Sequence, residues 1–176
     1  MIQTIGQCIG FVALIVSIAV FQRKKRKAIL LTQMTSSCLF AMHYLLLGAP
    51  TGVTMNLLGA TRNFIFSKKD KWIWTNNFFV LYLFISIFII GGLITWQGYI
   101  SILPMIGMTA GTISFWMNSP RKIRLISLIP SPFWFTYNFL SHSYPGMIGD
   151  MVCITSIVIG IIRFDIIKKD EELAIS

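Results

Sequence analysis

Seven stretches of the chain are almost continuously apolar, at roughly residues 4–21, 28–47, 51–67, 72–96, 100–118, 122–141 and 145–165, with short polar segments between them. Each approaches the ~20 apolar residues that carry an α-helix across a bilayer core. The runs lack the period-two alternation of an outer-membrane barrel. An open sheet would leave backbone groups unpaired in lipid. The pattern therefore predicts an all-α integral membrane protein with seven transmembrane helices. Ala49-Pro50-Thr51-Gly52 marks the entry of the third, and Ser67-Lys68-Lys69 its exit.

Composition agrees. Of 176 residues, 55% are hydrophobic and only 12% charged, against about 25% charged in soluble domains. The net charge of +9 comes from basic residues gathered in alternate loops. QRKKRK (residues 22–27) holds five, SKKDK (67–71) three and NSPRKIR (118–124) three, and Arg163, Lys168 and Lys169 follow the last span. The other loops and the N-terminal end hold none. Positive loops stay cytoplasmic, so the N-terminus is expected outside and the C-terminus inside. The basic balance expresses topology and not a nucleic-acid partner. Aromatic residues suit the interfacial belts, with Trp72, Trp74 and Trp116 at inner ends and Trp96, Tyr99 and Tyr144 at outer ends.

The first run, MIQTIGQCIGFVALIVSIAVF, has its basic cluster after it and not before, so it reads as a retained helix and not a cleaved signal. Cys8, Cys38 and Cys153 have no zinc or disulfide spacing and read as small packing residues.

Two halves correspond. Ile9-Gly10 and Ile106-Gly107 each open an apolar helix that leads to a basic loop, and Gly6/Gly10 and Gly107/Gly111 are each a GxxxG. LFAMHYLLLGAPTGVTMN (residues 39–56) matches FWFTYNFLSHSYPGMIGD (133–150), pairing Gly52 with Gly146, His43 with Tyr137 and Asn56 with Asp150. The plan is 3+1+3: repeat one over 4–68, a linker helix over 72–96, repeat two over 100–168 and a short tail over 169–176. An odd linker gives both triple-helix bundles one orientation, a parallel repeat.

This plan resembles the SWEET and PQ-loop transporter superfamily. HYLLLGAPTG, ATRNF, ILPMIG, WFTYNF and IGIIRF resemble the bacterial YgjV inner-membrane family over roughly residues 5–168. The superfamily resemblance implies two triple-helix bundles around a solute path. An Asn on the third helix and its mate on the seventh would face the solute, and Asn56 and Asp150 stand at those positions. Two departures matter. The second residue is an acid, which argues against a neutral sugar. No Pro-Gln pair opens either bundle: Pro104 stands alone in the fifth span, with Gln7 at its mate in the first.

The polar residues inside spans are the candidate site. A charge at mid-bilayer is costly and usually faces a bundle interior. Asp150 follows Pro145 by about five residues, roughly 7–8 Å deep at 1.5 Å per residue. It is either solvated near the outer headgroups or set against Asn56 across a pocket, where it binds a polar or cationic group and can carry a proton. Arg62 either snorkels to the inner surface or holds a carbonyl or an anionic solute group, and Asn63 beside it points about 100° away and need not share the role. His43, Tyr137 and Asn138 are either packing residues or pocket walls. Pro130 and Pro132 are candidate hinges in the sixth span, and Pro104 in the fifth.

No nucleotide-binding, hydrolase or metal-spaced motif occurs, so neither an enzyme nor a cofactor is expected. The leading expectation is a transporter or facilitator of a small polar solute across the bacterial inner membrane, moving by rocking of the bundles. Rivals are a receptor or assembly factor that docks a partner on QRKKRK, and a lipid-handling protein. The partners expected are the bilayer and the solute; homo-oligomers are compatible with the sequence, although two bundles in one chain make a monomer sufficient. The topology has a direct check: a fluorescent protein fused to the C-terminus is expected to fluoresce in cells, and an alkaline phosphatase fused there to stay inactive. Reversed activities would overturn the orientation.

Overall fold

The computed structural model describes residues 2–167. Among them are eight α-helices and no strand: α1 (Ile2–Ile18), α2 (Arg26–Leu47), α3 (Pro50–Ser67), α4 (Phe78–Ile94), α5 (Ile102–Trp116), α6 (Pro120–Ser127), α7 (Ser131–Leu140) and α8 (Tyr144–Ile161). Single 3-10 turns precede α4 at Ile73–Asn76 and α5 at Tyr99–Ser101, and a π-helical turn, Ile162–Ile167, extends α8. By length and composition, Arg26–Leu47, Tyr99–Trp116 and Tyr144–Ile167 are long and apolar enough to cross a membrane, and Ile2–Ile18 and Phe78–Ile94 are shorter apolar helices. The tail over 169–176 lies outside the described residues.

The sixth apolar stretch is not one helix. α6 has 8 residues and α7 has 10, with a turn between them. Proline lacks the donor for the i−4 bond and its ring collides with that carbonyl. Pro130 and Pro132 therefore end one helix and begin the next. Pro104 behaves differently. Expected to bend the fifth span near its outer end, it lies in the first turn of α5, where no intrahelical donor is needed, so it opens that helix without removing a bond.

Neighbouring helices close a ring. α1 packs on α2, α2 on α3, α3 on α5, α5 on both α6 and α7, those two on α8, and α8 back on α1, while α4 lies outside against α3 and α5. Glycines set the close approaches. A Cβ on Gly10 would stand 2.7 Å from the His43 ring and 2.8 Å from Pro145. A Cβ on Gly91 would stand 3.0 Å from Leu58 and 3.2 Å from Thr54, so α4 seats on α3 through this missing side chain. α2 ends where Gly48 turns to φ 71°, a left-handed C-cap that costs glycine little.

Polarity is inverted relative to a soluble protein. Ile5, Ile15, Phe79, Tyr82, Ile90 and Ile94 are exposed, along with many other large apolar side chains, while Ser36, His43, Arg62, Asn63, Thr112 and Asn138 are buried. Such an apolar exterior fits acyl chains, and the interior holds the groups that lipid cannot satisfy. Cys8 and Cys38 sit on this exposed face and are not packing residues, whereas Cys153 is half-buried.

Two cations of the basic loops cap helix ends inside the fold. Arg26 donates to the carbonyls of Met117 (2.8 Å), Phe66 (3.0 Å) and Phe115 (3.1 Å). Lys69 donates to the Trp116 carbonyl at 3.0 Å and lies 3.8 Å from the Trp116 ring centroid. These are the orphan carbonyls at the C-terminal ends of α3 and α5, where cations also meet the negative pole of the helix dipole. Burial, with Arg26 close by, lowers the Lys69 ammonium below its ordinary range against the opposing pull of Asp70. Trp116, expected in the inner belt, is only 5% exposed, because Lys69 and Phe66 cover it. Trp72, Trp74, Trp96, Tyr99 and Tyr144 are exposed.

Gly10→Ala is expected to destabilise the protein by about 1–3 kcal/mol, since neither a bonded imidazole nor a proline ring can yield. Thermal unfolding in mild detergent measures it. An unchanged midpoint would mean that α1 and α8 do not meet at Gly10.

Candidate functional site

The ring encloses a cavity of about 140 Å³. Its wall is built from α1, α2, α3, α5, the end of α6, α7, α8 and the turn that joins α6 to α7. Tyr44 on α2 begins a chain of polar contacts across it. The Tyr44 hydroxyl donates to Asn138 Oδ1, and Asn138 Nδ2 donates to Asp150 Oδ2 at 2.8 Å. The two bonds orient the amide, because a phenol donates and a carboxylate accepts. Among the described residues, Asp150 Oδ1 has no hydrogen-bond partner and Asp150 has no counter-ion.

Each member of the chain is seated by a small residue. The Tyr44 ring lies on Gly52, where a Cβ would come within 2.7 Å of it. Asn138 lies against Gly146 in the same way, too closely for any side chain there. Asn56 lines the cavity one turn beyond Gly52 and donates to the Gly52 carbonyl at 2.9 Å. Asp150 lines it one turn beyond Gly146. Both candidate binding residues thus share one cavity with Asn138 between α2 and α8. No direct bond joins Asn56 to Asp150.

Arg62 also lines the cavity and does not snorkel: it is 2% exposed. Its Nη1 donates to Thr112 Oγ1 at 2.8 Å and to the Met108 carbonyl at 3.4 Å, and its Nε and Nη2 both reach Asn63 Oδ1, at 3.1 and 3.0 Å. Its guanidinium lies 5.0 Å from the Phe115 ring centroid and 5.4 Å from that of Phe88. Every partner is neutral, and no carboxylate is paired with it among the described residues. Asn63, which points about 100° away along α3 and did not need to share the role, is its main acceptor. The long guanidinium stem folds back on its neighbour, which the angle between Cα–Cβ vectors does not reveal.

His43 and Tyr137 stand apart from the cavity wall. His43 is fully buried, with Nδ1 2.8 Å from the Gly6 carbonyl and Nε2 2.8 Å from Ser143 Oγ. The carbonyl can only accept, so Nδ1 carries the proton and Nε2 of the neutral ring accepts from the serine. Both nitrogens are committed to joining α1, α2 and the start of α8. Tyr137 packs edge-on against Tyr44, with ring centroids 6.0 Å apart, and against Trp134 at 5.8 Å. Pro130 lines the cavity at the break between α6 and α7, Pro132 lies in the first turn of α7, and Pro104 is outside the wall.

Tyr44, Phe40 and Trp134 also line the cavity and were not singled out from the sequence. A signal for them was present. Tyr44 and Asn138 are 94 residues apart, the same step that separates Asn56 from Asp150 and Phe40 from Trp134. All six line the cavity.

Tyr44→Phe is expected to cost about 1–3 kcal/mol, because Asn138 Oδ1 loses its donor in a buried place. Thermal unfolding compared with wild type checks this, and a cost below a few tenths would dissolve the chain as a structural unit.

The Imp-YgjV family model, described as bacterial inner membrane protein, matches residues 4–168. No curated protein and no solved structure matches the chain. The chain belongs to the Imp-YgjV family of bacterial inner membrane proteins.

Proposed function

We propose that this family member is a carrier or facilitator for a small polar solute, which binds in the cavity between two parallel triple-helix bundles. The bundles are repeat one (4–68) and repeat two (100–168), joined by a linker helix (72–96), with the N-terminus outside and the C-terminus inside. The observation that carries the reading is the cavity wall. Phe40, Tyr44 and Asn56 of α2 and α3 line it together with the α7 and α8 residues that stand 94 positions further on, and the Tyr44–Asn138 bond joins two such mates directly. A parallel repeat with its axis along the membrane normal places a binding site in this position.

The packing order supports the same reading. α1 meets α8 as α5 meets α3, the two equivalent contacts of such a repeat, and α4 lies outside both halves. Asp150 and Arg62 are the charged groups of the site, Asn56 and Asn138 its amides. The wall offers amides, two charged groups and apolar rings, the makings of a binding site, and we read it as a transport site. The break at Pro130 borders the cavity, and a discontinuous helix beside a site is where one bundle can bend against the other. A receptor or assembly role is the second reading. It draws on Arg23, Lys24, Lys25 and Lys27, which stay exposed while Arg26 is used within the fold.

Purified protein reconstituted in liposomes is expected to move at least one member of a panel of sugars, amines, nucleosides and organic acids. Asp150→Asn is expected to lower that flux by about tenfold or more, the loss of one charged hydrogen bond. No flux across the panel, with no ligand raising the unfolding temperature, would sink transport and favour the partner-docking reading.

A further inference from the structure

Arg62 and Asp150 are opposite charges in one cavity, and neither has a counter-ion among the described residues. A buried cation held only by neutral acceptors is an unfinished site, since an ion removed from water needs a partner of opposite sign. The same is true of a carboxylate that accepts a single amide bond. Resting on the transport reading above, we propose that the cavity binds a small zwitterion, an α-amino acid with a short side chain. Its ammonium meets Asp150 and its carboxylate meets Arg62.

Placement supports one ligand meeting both groups. Asp150 enters the cavity from α8, one turn beyond Gly146, and Arg62 enters it from α3, six residues beyond Asn56. A single small molecule held in this cavity can turn its ammonium to one and its carboxylate to the other, each through a charge-assisted hydrogen bond.

Volume and polarity agree. A cavity of about 150 Å³ holds a benzene ring, so the 140 Å³ here suits a ligand with few non-hydrogen atoms. Phe40 and Trp134 offer a short side chain an apolar wall. Asn138 remains bound to Asp150 and leaves the Oδ1 oxygen for the ammonium. Arg62 keeps one guanidinium N–H without a partner beyond its four bonds.

The test is calorimetric titration of the purified full chain with alanine, alaninol (ammonium, no carboxylate), propionate (carboxylate, no ammonium) and glycerol (neither). Alanine is expected to bind tightest, with each singly charged analogue about tenfold or more weaker. Arg62→Gln should bring alanine down to the level of alaninol while leaving alaninol within about twofold, and Asp150→Asn should do the same relative to propionate. Should Arg62→Gln fail to fold, Arg62→Lys keeps the charge and is expected to keep the order alanine over alaninol. Equal binding of alanine and glycerol, or of alanine and a singly charged analogue, or no alanine binding at all, overturns the proposal. Liposome flux separates the two levels. Alanine bound with this pattern but not moved leaves the ligand class standing and removes transport; flux of a neutral or singly charged solute but not of alanine does the reverse.

Discussion

A polar group inside a bilayer has no water to turn to, and the architecture answers that constraint. Backbone groups are satisfied within helices. The remaining polar side chains, from Ser36 and His43 to Arg62 and Asn138, face inward and bond one another across helix boundaries. Helix packing is therefore specified by hydrogen bonds as much as by apolar contact, since lipid gives apolar faces little reason to prefer protein. His43 shows the effect. Its two ring bonds, to Gly6 and Ser143, tie the start of the chain to the start of the last helix.

Glycine makes those bonds reachable. Gly10 admits the His43 ring and Pro145, Gly52 admits Tyr44, and Gly146 admits Asn138. In each case a polar or aromatic side chain on one helix fills the space of a missing side chain on another. The GxxxG of the first span thus houses an imidazole and is more than a place where two backbones meet. The same reasoning explains why Tyr44 reaches across to Asn138 at all: its ring lies down on Gly52 and aims its hydroxyl at the opposite half.

Much of the fold was legible because hydropathy and proline act locally. Most helices followed from apolar runs, but the run over 72–96 opens with a 3-10 turn before α4, and Pro130 and Pro132, expected as hinges within one sixth span, instead separate α6 from α7. The site was legible only in part. Asp150 and Arg62 stood out as charges within apolar runs, and position in the sequence was enough to find them. What the residues touch was not legible. Tyr44 looked like one aromatic among many until its bond to Asn138 was seen. His43 was open between a bonded packing residue and a pocket wall, and its two ring bonds, to Gly6 and Ser143, agree with the packing reading. The Arg62–Asn63 contact was not legible because helical angles describe Cβ directions and a flexible arginine does not follow them. Trp116 was misjudged because Lys69 folds back over it and Phe66 packs against it.

The treatment of the two charges is what separates this interior from one built for stability alone. Where the fold needs a cation for structure, it places one on helix-end carbonyls, as with Arg26 and Lys69, or pairs it, as Arg124 is paired with Asp165 at 3.2 Å. Arg62 has neither arrangement. It is held in place by Asn63, Thr112 and two phenylalanine rings, which fix its position without neutralising it. Replacing an unpaired buried ion with a packed apolar side chain would often stabilise a protein. An interior that retains such a cation opposite an equally unpaired carboxylate, with an open volume between them, has the charge pattern of a site that its ligand completes.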